Sequence, residues 1–327
     1  MVRGVRETQA SGRSLLRSGT FGLSLLLAIV LVGCTTRWPI LGSLASTQQP
    51  LQQPPTFVNR STAPRTVEVD LVAGVTPVAL HNGRQAELYT YNGTYPGPTL
   101  DVTEGDRVIV HFSNQLPKET TVHWHGLQVP ADQDGSPMDA IPPGGSQDYV
   151  FEIPKGTAGT YWYHPHPHEM SATQAAKGLE GVIRVKPADD PLPATYPETI
   201  LLLSDAPQLA LKALPPHEHR VFVNGQLSPT LDVRAGEVRR FRLINGSTQE
   251  FYLLEIPGHA MRLIATDGGF IPAPIAKDQI LLAPSERAEI LVEMNAVPGS
   301  EVKLRSLPYD KGDGLPSANP RELLSFR

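Results

Sequence analysis

The 327-residue sequence contains a single cysteine, Cys34. An internal disulfide is therefore excluded, and a centre built on a thiolate finds no ligand in the part of the chain that folds. Basic residues are not in excess: 28 Lys and Arg against 33 Asp and Glu give a formal charge of −5, which argues against nucleic acid as a partner. No apolar run reaches the roughly 20 residues of a membrane-spanning helix. With 19% charged and 40% hydrophobic residues, the composition is not that of a disordered chain. Segments with helical periodicity are scarce.

What is present is turn chemistry between short apolar runs. The 32 prolines and 28 glycines are spread among segments rich in Val, Leu, Ile and Tyr, which predicts an all-β protein of about two domains at roughly 150 residues each. Residues 1–33 carry Arg3, Arg6, Arg13 and Arg17 and then "FGLSLLLAIVLVG", the pattern of an export signal. "LVGC" ending at Cys34 resembles the lipobox of bacterial lipoproteins, so the expected product is an acylated, membrane-anchored protein facing the periplasm or cell exterior. Removing residues 1–33 takes away four arginines and one glutamate and leaves a charge of −8. Residues 34–64, including "STQQPLQQPPTFVNRSTAP", are rich in Gln and Pro and read as a flexible tether, with folding expected from Arg65.

The chain repeats itself. "NGTYPGPTLDVTEGDRVIVHFSN" from Asn92 and "NGQLSPTLDVRAGEVRRFRLIN" from Asn224 share Pro-Thr-Leu-Asp-Val, a glycine, an acidic residue and a strand ending in Asn. Two homologous β-domains follow, residues 65–187 and 188–327, joined across "KPADDPLPATYP". Alternation puts Val67, Val69 and Leu71, and likewise Val108, Val110 and Phe112, on one strand face, within a Greek-key sandwich or barrel. His123 lies nine residues after Asn114, whereas Leu254 lies nine after Asn245, so the second copy carries no paired imidazoles at that place and only the first is built there to hold metal.

In "TVHWHGL" a strand places His123 and His125 on one face and Trp124 on the other. Two imidazoles facing an apolar space need partners, and a metal ion suits both. "YWYHPHPHEM" supplies His164 and His166 at the same spacing, on a segment that Pro165 marks as a strand end or edge. Four such ligands suit tetrahedral zinc, or two or more copper ions with open positions; spacing does not choose. No Cys or Glu pattern of a zinc site accompanies them. His168 extends the second motif as a supporting or solvated residue, His217 and His219 read as a solvated loop, and His81, His111 and His259 are isolated.

"TVHWHGLQVPADQDGSPMDAIPPGG", "GTYWYHPHPHEMSATQAAKGLEGVIRV" and "YNGTYPGPTLDV" resemble the first cupredoxin domain of multicopper oxidases of the laccase-like type. The resemblance covers nearly all of residues 65–327 and implies two tandem cupredoxin-like domains. It implies that His123, His125, His164 and His166 hold copper as half of a type 2/type 3 cluster, and that dioxygen and a small reducing substrate are partners of the completed oxidase. Asp134 in "DQDGSP" matches an acidic residue that helps move protons near the cluster, and equally suits a turn before Gly135.

The resemblance also implies a thiolate-bound type 1 copper, and no His-Cys-His segment occurs. Three expectations therefore compete: a truncated laccase-like oxidase, inactive alone; a non-enzymatic copper-binding lipoprotein; and a half-site subunit completed by a third cupredoxin domain or a partner chain. Any face left bare by a missing domain should be apolar. With five methionines and no Met-rich segment, nothing marks a dedicated cuprous-ion site.

Overall fold

The structure, a computed structural model, describes residues 49–79, 85–205, 221–312 and 320–327. The export signal, Cys34, the start of the tether, His81, His217 and His219 lie outside the described residues. Among the described residues, no helix is long and apolar enough to cross a membrane.

The first half forms β1 (Thr66–Ala79), β2 (Gln85–Tyr91), β3 (Gly97–Thr103), β4 (Arg107–Asn114), β5 (His123–His125), β6 (Ser146–Glu152), β7 (Gly159–His164) and β8 (Gly181–Lys186). The period-two pattern decides the burial: Val108, Val110 and Phe112 point into a core that Val69, Leu71 and Trp124 share, while Asp70 faces solvent. That core fills the space between sheets ordered β2-β1-β4-β6 and β3-β8-β7-β5. One short helix, α1 (Ser171–Ala175), lies between β7 and β8.

The second half adds β9 (Glu198–Ser204), β10 (Phe222–Val223), β11 (Gln226–Leu227), β12 (Thr230–Leu231), β13 (Val238–Asn245), β14 (Tyr252–Glu255), β15 (Met261–Thr266), β16 (Gly269–Lys277), β17 (Ile280–Leu282), β18 (Arg287–Glu293), β19 (Val302–Leu307) and β20 (Arg321–Phe326). Its sheets run β11-β10-β9-β13-β18-β15-β16 and β12-β20-β19-β14-β17 around a separate core. The pairings repeat those of the first half: β1 lies parallel to β4 as β9 does to β13, and β3 parallel to β8 as β12 does to β20. The protein is thus all-β, with two cupredoxin-like sandwiches in tandem.

The repeat extends to single side chains. Asn92 and Asn224 both take a positive φ, 52° and 49°, and each side chain ties a turn to the neighbouring strand. Asn92 accepts from Val72 N (2.7 Å) and donates to Asp70 O; Asn224 accepts from Leu202 N (2.8 Å) and donates to Ile200 O. Buried Asn114 donates to Lys118 O and Ile141 O, and Asn245 to Glu250 O and Leu282 O. The carbonyl is four residues on in the first copy and five in the second, so the second corner carries one extra residue. Thr120 opposite Ile141 therefore corresponds to Tyr252 opposite Leu282, and the counterpart of His123 is Glu255 rather than Leu254. Where His123 faces His164 across β5 and β7, Glu255 faces Arg305 across β14 and β19, and the two form an ion pair.

The tether reading needs correction from residue 49 onward. Thr230 N donates to Gln49 O and Leu51 N to Thr230 O, at 2.8 and 2.7 Å; Thr99 N donates to Pro55 O and Phe57 N to Thr99 O, at 2.6 and 3.1 Å. Thr99 and Thr230 are the same position of the repeat, so this strap makes one parallel pairing twice, once per sandwich. Leu51 packs on the second core and Phe57 on the first, while the Gln53 side chain accepts from Ile200 N at 2.8 Å. Composition averaged over the segment hid two apolar anchors set on proline-extended backbone.

Between the sandwiches, β7 lies against β13, β15, β16 and β18. Trp162, Val182, Ile200, Leu202 and Ile244 form an apolar cluster there. Beside it, Glu289 takes Arg240 at 2.5 Å and Arg242 at 2.6 Å, all three buried, and accepts from the Thr160 hydroxyl of β7 at 2.7 Å. The bare apolar face is not seen: inside strands, the exposed large apolar side chains among the described residues are Val75, Ile275 and Leu281, on three different strands.

Candidate metal centre

Among the described residues β5 is the edge strand of its sheet, paired with β7, with His123 opposite His164 and His125 opposite Trp162. Because parity fixes the faces, Trp124 turns inward against Tyr149 and Phe151, and its Nε1 donates to Gln133 O at 2.9 Å. β7 ends at His164, where Pro165 supplies no N–H to continue the ladder. The chain then turns so that His166 N donates to the Thr121 hydroxyl at 2.8 Å.

Four imidazoles meet on this face. The His123 ring centroid lies 5.5 Å from that of His125, 5.3 Å from His164 and 5.3 Å from His166. Ligand nitrogens of His123, His125 and His164 all lie within 4.8 Å of one another. His166 is not in that trio; its Nδ1 is buried and has no hydrogen-bond partner. His168 stays outside the cluster, exposed beside Glu169. His111 lies on another sheet between Glu68 and Asp148, and His259 bonds to Pro257 O.

The hydrogen bonds assign tautomers. His123 Nδ1 faces Asp134 O at 3.1 Å and Asp134 Oδ1 at 3.0 Å, and His164 Nδ1 faces Pro165 O at 3.0 Å. A carbonyl only accepts, so both Nδ1 atoms carry hydrogen and both Nε2 lone pairs face the cluster. His125 Nδ1 sits 3.1 Å from His164 Nε2 and donates to it while no ion takes that lone pair.

Electrostatics favour the neutral, ligating form. Burial pushes His164 down to about 3 and His125 down to about 4; the neighbouring imidazoles and, for His125, the Arg287 guanidinium add to this. Neither competes for its metal by binding protons near neutral pH. Three converging imidazole donors, two with the outer nitrogen already bonded, and an orphaned buried His166 Nδ1 fit copper, an ion for which imidazole is a natural ligand.

Three supporting residues were not legible in the sequence. Trp162 stacks on His164 at 4.2 Å between centroids and flanks His125 at 5.2 Å; its place two residues before His164, on the same face, was the available signal. Gly135 brings the Asp134 turn against the strand, since a Cβ there would lie 2.0 Å from Val122 O. Arg287 enters from the second sandwich, and no local signal in its sequence links it to the histidines.

Two family models, both described as multicopper oxidase, match residues 73–190 and 193–300. The chain is 34% identical over 241 residues to a protein named multicopper oxidase mco of Staphylococcus haemolyticus strain JCSC1435, a match covering 70% of this chain and 53% of that protein. It is 33% identical to the cell division protein FtsP of Escherichia coli strain K12, over 83% of this chain and 59% of the relative. A solved multicopper oxidase from Campylobacter jejuni, titled a metallo-oxidase, superposes with a TM-score of 0.76 at 34% identity, covering 86% of this chain and 61% of that one. The chain spans between half and two thirds of the length of these relatives. On the strength of both domain matches and of the cluster they enclose, the chain belongs to the multicopper oxidase family.

Proposed function

We propose that this chain holds copper through His123, His125, His164 and His166 and serves a laccase-like oxidoreductase that oxidises a small substrate with dioxygen as acceptor, reduced to water. The observation that carries the reading is the three-donor convergence of His123, His125 and His164, with the Nε2 lone pairs of His123 and His164 left free by the hydrogen bonds at their Nδ1 atoms. Copper bound there would supply one-electron chemistry toward dioxygen. The chain's own groups do the rest: the Asp134 carbonyl holds His123 in one tautomer, Trp162 walls off one side of His164, and the Asp134 carboxylate, 3.0 Å from His123 Nδ1, is a group that can take up and return a proton beside the site. The sequence holds no cysteine besides Cys34, so in this reading an electron-accepting thiolate-bound copper comes from a further cupredoxin domain or a partner chain. Export, with acylation of Cys34, would place the protein at a membrane surface outside the cytoplasm.

A second reading is copper binding without turnover, and the FtsP relatives, named for cell division, favour it. Titration of the purified protein with Cu(II), followed by Trp fluorescence, tests the shared part: binding should quench Trp162, and a form with all four histidines changed to alanine should lose the quenching. Equal copper uptake by that form rejects the site. Oxygen consumption with a phenol or a cuprous salt, alone and after addition of a cupredoxin-like partner, then separates the two readings.

A further inference from the structure

Arg287 of the second sandwich lies against β7 and against Gly126, the residue that follows β5. Its Nε donates to Thr160 O on β7 at 3.2 Å, and its guanidinium lies 5.7 Å over the Tyr161 ring. Its Nη2 stands 2.5 Å from where a Cβ on Gly126 would be, and Gly126 directly follows His125. Only a glycine there, at φ 88°, admits the guanidinium so close to β5. The same head group is held from behind: Nη1 donates to Ser285 O and pairs with Asp267 Oδ1, both at 3.0 Å, and Nη2 donates to Asp267 O at 3.1 Å. The Arg287 side chain is 3% exposed whereas that of Asp267 is 48% exposed, so the positive charge is buried at the seam and its counter-charge faces water. At the equivalent point of the first sandwich stands exposed Ser146 in β6, which pairs Ser113 as Arg287 pairs Ile244. The arginine thus departs from the repeat at the place where the second sandwich meets the site.

We propose that Arg287 is a positioning residue of the copper centre: its fork fixes the spacing of β5 and β7, and its fixed charge beside His125 biases bound copper toward the cuprous state. The inference rests on the copper-binding reading above. A buried positive charge opposes Cu(II) more than Cu(I), because the repulsion scales with the charge on the ion. Asp267 offsets part of that field from the solvent side.

The test is the ratio of Cu(II) to Cu(I) affinities, or the one-electron midpoint potential it defines, for the full chain and for Arg287→Met and Asp267→Asn. Arg287→Met should raise the ratio roughly tenfold, lowering the potential by about 59 mV. Asp267→Asn keeps an oxygen of similar shape and lies at the surface, so it folds; it should shift the ratio the other way by a smaller factor. Mere loosening of the site would weaken both oxidation states in both variants without opposed signs. If the wild-type chain binds copper at the four histidines and Asp267→Asn leaves the ratio unchanged or shifts it in the same direction as Arg287→Met, the role assigned to Arg287 is overturned. If the four-alanine form binds copper as well as wild type, the copper-binding reading itself falls, and this inference with it.

Discussion

Glu180 gives the sharpest quantitative prediction, because it is a fully buried carboxyl at the seam between the sandwiches. Its side chain is reached by the Tyr95 hydroxyl, which donates to Oε1 at 2.8 Å, and a Cβ on Gly246 would lie 2.4 Å from Oε2. Burial pushes its pKa from 4.5 up to about 8; the Ser204 and Tyr95 hydroxyls pull it down, and the Asp205 charge raises it. The folded protein therefore keeps a proton that the unfolded chain releases between about pH 4.5 and 8. With more protons bound to the native state, stability falls as pH rises through that window and is flat on either side. One pKa unit corresponds to 1.36 kcal/mol, so ionisation of the unfolded carboxyl removes about 3 kcal/mol at pH 7 and about 5 kcal/mol by pH 9. Glu180→Gln keeps the shape and an acceptor for Tyr95 but cannot ionise. Any unmatched amide N–H costs about 1–3 kcal/mol at every pH and adds an offset without a slope. Urea unfolding of both proteins at pH 5, 7 and 9 gives the difference directly. Other titrating groups, such as His111, which Asp148 and Glu68 raise above its usual value, cancel because both proteins carry them. The variant should gain on wild type from pH 5 to about 8 and level off toward 9; a difference that is flat from pH 5 to 9 refutes the reasoning.

Glu289→Ala should lower stability by about 3–5 kcal/mol in the same assay, because it leaves buried Arg240 and Arg242 without their shared carboxylate. Gly135→Ala places a methyl 2.0 Å from Val122 O at φ 63°; calorimetry should show a loss of at least about 1–3 kcal/mol, and copper titration a weaker site, since the turn also carries Asp134. His125 and His164 are held well below their usual range, so the unfolded chain binds protons that the folded one refuses. Metal-free protein should lose stability as pH falls from about 6.5 toward 4, and the His125→Gln, His164→Gln double variant should show a shallower fall in melting temperature. Deleting residues 49–57 removes four backbone hydrogen bonds and two apolar anchors, and should lower the melting temperature of the whole two-sandwich unit.

Much of this architecture is written locally. Alternating Val and Ile mark strands, Asn-Gly marks the turns where Asn92 and Asn224 adopt positive φ, and the His123/His125 pair announces its own face by parity. The parts that were not legible depend on distance in sequence. Arg287 reaches Gly126 from 161 positions away, and Thr160 meets Glu289 across a separation of 129. The strap misled for a different reason: Gln and Pro dominate its composition, while Leu51 and Phe57 anchor it on the two cores and its backbone pairs with Thr230 and Thr99. The error at Leu254 came from counting across a corner in which one copy has gained a residue, a change that shows only in the carbonyl that each asparagine finds.

At the cross-strand position shared by both copies, the first offers His123 and His164, whose Nε2 atoms are left free for the cluster by the hydrogen bonds at Nδ1. The second offers Glu255 and Arg305, which satisfy each other. A closed ion pair needs no ligand, so this position of the second sandwich carries none of the demands of a metal site. Other residues of that sandwich meet β7: Glu289 on Thr160, Arg287 on the carbonyl of the same residue, and Ile200, Leu202 and Ile244 beneath Trp162. Trp162 in turn backs His164 and His125. The precision of the histidine cluster is therefore set largely from outside its own sheet, and substitutions at Arg287 or Glu289 should disturb copper affinity although neither residue ligates it.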